Sequence, residues 1–146
     1  MVGPFQNPDD EAIRALLDRV RRIAVIGLSP RLHRASNRVA SYLQEVGYEI
    51  IPVYPREEQI LGEKVFRNVR EVPGPIDLVD VFRRSEALPG VFDDVIASGA
   101  GAVWTQLDCI DEDGARRAQA AGLSVVMNRC LMVEHDRLLG RNWTPR

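Results

Sequence analysis

The sequence predicts an α/β protein with a Rossmann-like, doubly wound parallel sheet. Short apolar segments alternate with segments of helical periodicity along the 146 residues, and strands that alternate with helices indicate βαβ units. Several apolar segments contain almost no polar residue, which is typical of strands that are buried on both faces. Right-handed crossovers then favour three layers (helix, sheet, helix), with the strand order 3-2-1-4-5-6 and a weak edge strand 3.

The first half of the chain divides at residues that start or stop regular structure. Asp9 and Ser36 are good helix N-caps, and Gly47 is a typical helix stop. Pro55 closes the second apolar segment. The predicted elements are a helix over about 9–20, a strand over 23–27, a helix from Ser36 to Gly47, a strand over 48–54, and a connection over 56–75 with a short edge strand near 64–66.

The second half repeats the alternation of strands and helices. The predicted elements are a strand over 77–82, a helix through Val91, Val95 and Ile96 that ends at Gly99, a strand over 102–105, a helix from Asp111 to about 121, and a strand over 123–127. We expect a single domain over 1–146, with 1–21 as a helical extension and 137–146 as an irregular tail.

Composition excludes several function classes. The net charge of −2 and the pI of about 5.7 argue against a nucleic-acid partner. The sequence lacks a run of ~20 apolar residues, so we expect no membrane span, and its first residues do not resemble a signal peptide. The two cysteines, Cys109 and Cys130, form neither a CxxC pair nor a disulfide framework. We therefore expect reduced thiols and a cytoplasmic protein.

The loop after the first strand has the residues of a phosphate site. Gly27 permits close approach of a ligand, and the helix that follows Ser36 offers free N–H groups to an anion. Because this loop contains a single glycine, it does not match GxGxxG. The predicted contacts are the backbone at Gly27, the hydroxyls of Ser29 and Ser36, the N–H groups of Asn37 and Arg38, and the charges of Arg34 and Arg38.

The end of the second strand favours an adenosine that carries an extra phosphate. A nicotinamide site usually has an acidic residue there to bind the ribose hydroxyls. Here the strand ends in Pro52-Val53-Tyr54-Pro55-Arg56, and acidic residues follow only after Arg56. An apolar floor followed by an arginine suits both NADP and coenzyme A with its 3′-phosphate.

These motifs together resemble a known family, over roughly 23–134. They are VIGLS at 25–29, RASNRV at 34–39, GY at 47–48, PVYP at 52–55, ILG at 60–62, IDLVDVFR at 76–83, VWTQ at 103–106, AGL at 121–123 and VMNRC at 126–130. The sequence is similar to the stand-alone CoA-binding proteins, which look like the N-terminal CoA-binding domain of the succinyl-CoA synthetase α-subunit.

The resemblance implies a Rossmann-type fold with coenzyme A, or an acyl-CoA, at the strand ends. It implies that Gly27, Leu28, Ser29, Ser36 and Arg38 meet the phosphates, and that Val53, Tyr54, Pro55 and Arg56 meet the adenosine. It further implies that Phe82 and Arg83 line the cleft, and that Gln106 and Asn128 lie towards the pantetheine. We expect no phosphohistidine domain in this chain, so the resemblance carries over binding and not synthetase activity.

We therefore expect a non-catalytic carrier, sensor or regulator with a small-molecule CoA ligand. A homodimer or another protein partner is compatible with so small a domain. One alternative is an NADP-binding oxidoreductase. Another is a small acyl-CoA enzyme in which Cys130 and His135 act as nucleophile and base, and a third is an interaction module without a ligand.

Other ionisable residues give weaker signals. The cysteines and histidines lack the spacing of a zinc site, so we expect no metal. Asp80 interrupts an apolar strand, and the simplest interpretation is a hydrogen bond to a neighbouring loop.

Overall fold

The computed structural model describes residues 4–146 and consists of a parallel sheet between two layers of helices. The α/β class and the Rossmann-like arrangement are thus confirmed. In chain order the elements are α1 (Asp10–Arg19), β1 (Arg22–Ile26), α2 (Ala35–Val46), β2 (Glu49–Val53), β3 (Gln59–Ile60), β4 (Glu63–Lys64), a 3-10 turn (Val69–Glu71), β5 (Leu78–Val81), a 3-10 turn (Ser85–Ala87), α3 (Leu88–Ser98), β6 (Ala102–Thr105), α4 (Glu112–Ala120), β7 (Ser124–Val126) and α5 (Leu131–Leu138).

The main sheet has five parallel strands in the order β2-β1-β5-β6-β7. Successive residues of each strand contribute to opposite faces. On one face Ile23, Val25 and Trp104 pack with α1, α2 and α5. On the other face Ala24 and Val103 pack with α3 and α4. Because both faces are covered, the strands are apolar along almost their whole length.

Strand 3 of the predicted order, the weak edge strand near 64–66, is absent from this sheet among residues 4–146. Instead, Phe66 forms one parallel bridge with Val53, and Glu63–Lys64 pairs antiparallel with Gln59–Ile60. The Phe66 N–H donates to Pro52 O (2.9 Å), and the Tyr54 N–H donates to Phe66 O (3.0 Å). The next bond of this ladder would need an N–H at Pro52, which proline lacks. The predicted edge strand is therefore reduced to a single bridge, and the sheet ends at β2.

The start of α2 differs from the prediction. Arg34, not Ser36, is the N-cap residue, and it makes no side-chain capping bond. Ser36 Oγ instead accepts a hydrogen bond from the Ser29 N–H (3.0 Å). Since the hydroxyl is used to hold the preceding loop, the helix starts before it.

Sequence analysis missed α5, which follows β7 after a short turn. Leu131, Met132 and Val133 are three consecutive apolar residues, so they show no helical period. His135 is fully buried. Nothing in the sequence indicated this, because the irregular tail was predicted to begin only two residues later. Since α5 runs to Leu138, that tail also begins later than the predicted residue 137.

None of the helices in the described part of the chain has both the length and the apolar character of a membrane-crossing segment.

Candidate functional site

A cleft of about 900 Å³ opens at the carboxyl ends of β1, β2 and β5. Parallel sheets bind ligands at such ends, most often where neighbouring strands continue in opposite directions across the sheet. Here β2 and β5 lie on opposite sides of β1. Ten of the residues predicted to form a site line this cleft: Gly27, Ser29, Arg34, Ser36, Val53, Tyr54, Pro55, Arg56, Phe82 and Arg83.

Gly27 joins β1 to the cleft under a steric constraint that admits only glycine. Its N–H donates to Val53 O (2.9 Å), and its φ of 82° lies in the left-handed region. A Cβ at this position would lie 2.2 Å from Phe82 O. The chain after β1 can therefore pass against the end of β5 because no side chain stands between them.

The following loop is fixed by two buried polar side chains of α2. Ser36 Oγ accepts from the Ser29 N–H, and Asn37 Nδ2 donates to Ser29 O (2.9 Å). Ser29 Oγ in turn accepts from the Arg31 N–H (3.1 Å). These bonds set the loop in place beside the N-terminus of α2, where the cleft opens.

The free N–H groups of α2 begin two residues earlier than predicted, at Ala35 instead of Asn37. The Arg38 N–H donates to Arg34 O (3.1 Å), so it is already used inside the helix. Since Arg34 is the N-cap, the first-turn N–H groups without an intrahelical acceptor belong to Ala35, Ser36 and Asn37. Ala35 and Ser36 line the cleft, so the positive end of α2 faces it.

Five arginines line the cleft, and none of them has a carboxylate partner among the described residues. Arg31, Arg34, Arg56 and Arg83 are exposed there, and none of them forms an ion pair within residues 4–146. The cleft also contains two carboxylates. Asp94 binds the Arg70 guanidinium (2.7 Å), and Glu57 forms no ion pair in the described part of the chain. The cleft thus has an excess of positive charge that an anionic ligand would neutralise.

The fifth arginine, Arg67, has a structural role that the sequence did not indicate. Its Nη1 donates to the carbonyls of Tyr54 (3.1 Å), Arg56 (2.7 Å) and Glu57 (2.8 Å). The loop after β2 therefore curls around one guanidinium, and Glu57 has a φ of 68°. Arg67 lies in a loop without a motif, so its contact with residues 54–57 appears only in the folded chain.

The unpredicted lining residues come mostly from loops and from the α3 side of the sheet. Arg31 and Pro30 belong to the loop that sequence analysis identified, but neither was singled out. Val69 and Val91 extend the apolar floor beside Val53. The complete set that sequence reasoning missed is Ile26, Pro30, Arg31, Ala35, Glu57, Arg67, Asn68, Val69, Val91 and Asp94.

Four predicted site residues line neither this cleft nor a smaller cavity beside it. Leu28 is fully buried in the core, and Arg38 is exposed on α2. Asn37 is buried and supports Ser29, as described above. Asn128 accepts a hydrogen bond from the Asp108 N–H (2.8 Å) and adopts a φ of 63°. Asn37 and Asn128 thus stabilise loops near the strand ends.

A second cavity of about 470 Å³ adjoins the cleft at the ends of β5 and β6. Gln106, predicted to lie further along the site, lines this cavity, and its Nε2 donates to Asp80 Oδ1 (2.6 Å). Asp80 is fully buried, and its Oδ2 has no hydrogen-bond partner in the described structure. The loop partner expected for Asp80 is therefore the amide of Gln106.

Burial raises the pKa of Asp80 to about 7, and the Gln106 hydrogen bond only partly opposes this shift. A neutral carboxyl has a proton to donate, whereas a carboxylate only accepts. An ionised Asp80 can therefore bind only the NH₂ group of the Gln106 amide, whereas a protonated Asp80 can bind either end.

Cys130 and His135 do not form a nucleophile and base pair in this structure. His135 Nδ1 and the Tyr42 hydroxyl are 2.8 Å apart, and no hydrogen bond joins His135 to Cys130 among the described residues. The imidazole contacts the rings of Tyr42, Tyr48 and Trp143. Burial lowers its pKa below 6.5, so the ring is neutral at pH 7 and serves the core.

The part of the chain that the structure describes contains no cluster of His, Cys, Asp and Glu that could hold a metal ion. The thiol of Cys109 is buried, which raises its pKa and keeps it protonated at pH 7.

Comparisons with known proteins identify relatives along most of the chain. The model of the family described as CoA binding domain matches residues 21–136. The protein YneT of Bacillus subtilis (strain 168), described as uncharacterized, is 42% identical over 131 residues, which are 90% of this chain and 97% of YneT. The solved structure of a hypothetical protein from Pyrococcus horikoshii OT3 has 38% identity and a TM-score of 0.89, and the match covers 96% of this chain and 99% of that one.

Part of this chain is also similar to a ligase subunit. The alpha subunit of acetate–CoA ligase [ADP-forming] II from Pyrococcus furiosus is 41% identical over 59 residues, which are 40% of this chain and 13% of that subunit. The likeness covers a small part of the ligase subunit, whereas the family model covers the sheet and both cavities. The chain belongs to the family of CoA-binding domains.

Proposed function

We propose that this protein binds coenzyme A in the cleft at the ends of β1, β2 and β5. The observation that carries the proposal is the set of four arginines without carboxylate partners, within residues 4–146, beside the N-terminus of α2. Coenzyme A has a diphosphate and a 3′-phosphate, and arginine forks and helix N-termini are both suited to phosphate oxygens.

The residues of the cleft fit the two ends of the nucleotide. Arg31, Arg34 and the first N–H groups of α2 would hold the diphosphate, and the glycine at position 27 leaves room for its close approach. The apolar floor of Val53 and Tyr54, followed by Arg56, would hold the adenosine and its 3′-phosphate. When bound, the coenzyme would supply a thiol as a handle for acyl groups.

We further propose a non-catalytic role as a carrier, sensor or regulator, in the cytoplasm. The thiol and the imidazole that could have formed a catalytic pair are not hydrogen-bonded to each other in the described structure, which supports this role. Release of free thiol from acetyl-CoA by the purified protein, lost in Cys130→Ser, would contradict it. A homodimer remains compatible with the fold, and sedimentation with and without coenzyme A tests it.

A thermal-shift series tests the ligand and its orientation. Coenzyme A, dephospho-CoA, NADP and NAD are compared at one protein concentration, and a ligand at ~100 times its Kd adds ~2.7 kcal/mol to the free energy of unfolding. We expect coenzyme A to give the largest rise in Tm. In Arg56→Ala the advantage of coenzyme A over dephospho-CoA should disappear, whereas Arg34→Ala should weaken both.

Arg19→Ala is the matched control, because Arg19 is an exposed arginine on α1 that lines neither cavity. A Tm that none of the four compounds raises would overturn the proposal.

One observation keeps a dinucleotide as the second candidate. Glu57 lines the cleft just after β2, close to the place where nicotinamide sites have an acidic residue. A rise in Tm with NADP or NAD that exceeds the rise with coenzyme A would favour this candidate.

A further inference from the structure

The second cavity borders the arginine-lined cleft. Ala35, Phe82 and Arg83 line both. Phe82 follows β5, so it lies at the carboxyl end of the sheet between the two cavities. The second cavity is therefore the neighbouring space for a ligand whose charged part occupies the cleft and whose other end extends past Phe82.

The walls of the second cavity differ in chemistry from those of the cleft. Besides Ala35 and Phe82, its apolar lining consists of Val39, Leu107, Cys109 and Cys130. Arg83, Arg84 and Asp108 also line the cavity, but its accessible wall is mostly carbon and sulfur, so little of their charged surface faces it. The Gln106 amide nitrogen is bound to Asp80. Such a wall favours an apolar group and offers little to a charged one.

Leu107 is the second reason to expect an apolar occupant. Its side chain is 61% exposed, although it follows the buried strand β6 and lines the cavity. This exposed leucine lies beside the other apolar residues that line the cavity, among them Val39, Phe82 and Cys130. An apolar ligand would cover both surfaces at once and remove them from water.

We propose that the second cavity receives the apolar acyl chain of an acyl-CoA thioester. This inference rests on the proposed function, because the nucleotide must occupy the arginine-lined cleft for its acyl group to reach past Phe82. The protein then distinguishes acyl-CoA from free coenzyme A, and an apolar chain from a charged one.

The size of the preference follows from the burial of methylene groups. Each buried CH₂ contributes ~0.8 kcal/mol, which corresponds to roughly fourfold in affinity. We expect the Kd to fall from coenzyme A through acetyl-CoA and butyryl-CoA to hexanoyl-CoA. Succinyl-CoA is the matched competitor, because its acyl group has as many carbons as butyryl but ends in a carboxylate.

Isothermal titration calorimetry of the full chain with these five compounds is the experiment. The readout is the ratio of the Kd for coenzyme A to the Kd for hexanoyl-CoA, which cancels effects on the nucleotide part. We expect a ratio of about ten or more in the unmodified protein, from several methylenes at roughly fourfold each. We expect a clearly smaller ratio in Leu107→Ser. Val133→Ser is the control, since Val133 is 53% exposed and lies on α5 away from the lining.

The outcomes separate the two proposals. Equal affinity for coenzyme A and all acyl-CoAs, with measurable binding, overturns the acyl cavity and leaves the cleft assignment standing. Tighter binding of succinyl-CoA than of butyryl-CoA overturns the apolar identity of the occupant. Absence of heat and of any Tm shift with all five compounds overturns the proposed function, and the inference falls with it. A ratio that drops in Leu107→Ser and not in Val133→Ser supports the inference.

Discussion

Gly27 is the single residue on which the shape of the cleft depends most directly. It has a positive φ, and a side chain would collide with the Phe82 carbonyl. These two constraints are separable, because Gly62 has a similar φ of 78° but has no described atom within 4 Å of an added Cβ.

Alanine substitutions at these two glycines should therefore differ. Gly62→Ala should lower the free energy of unfolding by roughly 1–2 kcal/mol, the cost of a left-handed conformation. Gly27→Ala should cost clearly more and should also weaken coenzyme A binding, because the added methyl group displaces the end of β5. Urea denaturation and calorimetry measure the two effects. Equal losses of stability in both variants would show that the approach to Phe82 has no energetic importance.

Asp80 gives the protein a pH-dependent stability of unusual sign for a carboxyl group. Its pKa is about 7 in the folded protein and 3.8 ordinarily. Between these pH values the folded state binds the proton more tightly than the unfolded state. The contribution of Asp80 to the free energy of unfolding is therefore fully present below pH 3.8 and is lost as the pH rises to about 7.

Asp80→Asn should remove this dependence. Relative to the variant, the free energy of unfolding of the unmodified protein should fall by up to roughly 1.4 kcal/mol for each unit of rising pH within that window. Urea denaturation at several pH values across the window measures the difference, and Glu86→Gln at an exposed carboxyl is the control. A difference between unmodified protein and Asp80→Asn that stays constant with pH would contradict a raised pKa.

At the scale of the elements, α5 and the segment after it close the sheet face that carries α1 and α2. Arg137 binds both carboxylate oxygens of Asp10 on α1 (2.8 and 2.7 Å). Trp143 stacks at a tilt on Tyr48 (4.9 Å), meets the edge of His135, and donates from Nε1 to Asp18 (2.7 Å). The last residues thus cover the buried histidine.

Removal of the Trp143 ring should destabilise the fold without altering the cleft. Trp143→Ala should lower the free energy of unfolding by about 1–3 kcal/mol, and Trp143→Phe should lower it less, because an aromatic ring remains on Tyr48. Urea denaturation followed by circular dichroism measures both, with Arg38→Ala on the exposed side of α2 as the control. Unchanged stability in Trp143→Ala would mean that the C-terminal segment does not support the core.

At the scale of the whole molecule, the proposed ligand surface lies across the middle of the sheet. The arginine-lined cleft spans the ends of β2, β1 and β5, and the second cavity spans β5 and β6 beside α2 and α5. The chain leaves β1 towards one side of the sheet and reaches β5 on the other side. The loops after these strands therefore diverge, and the space between them is the cleft that we propose as the binding site.

The resemblance to CoA-binding domains is visible in the amino-acid sequence alone, because its motifs are local. Gly27 and the residues 34–39, the apolar strands and the residues 52–55 each occupy short stretches, and the family match over residues 21–136 confirms the resemblance. Ten of the fifteen predicted site residues line the cleft, since each lies at or after a strand end, or in the loop and helix start that follow one. Their contacts with a ligand stay predictions.

Sequence by itself determined the α/β class, the alternation of strands and helices along the chain, and the strand ends at which we propose that a ligand binds, because these depend on residues that are close along the chain. Only the tertiary structure decided which arginines converge, that Arg67 holds the loop after β2, that His135 is buried under Trp143, and that Cys130 shares the lining of a second cavity with Val39. These contacts form between separate elements and loops of the folded chain, and the burial that shifts the pKa of Asp80 exists only once the sheet is covered on both faces.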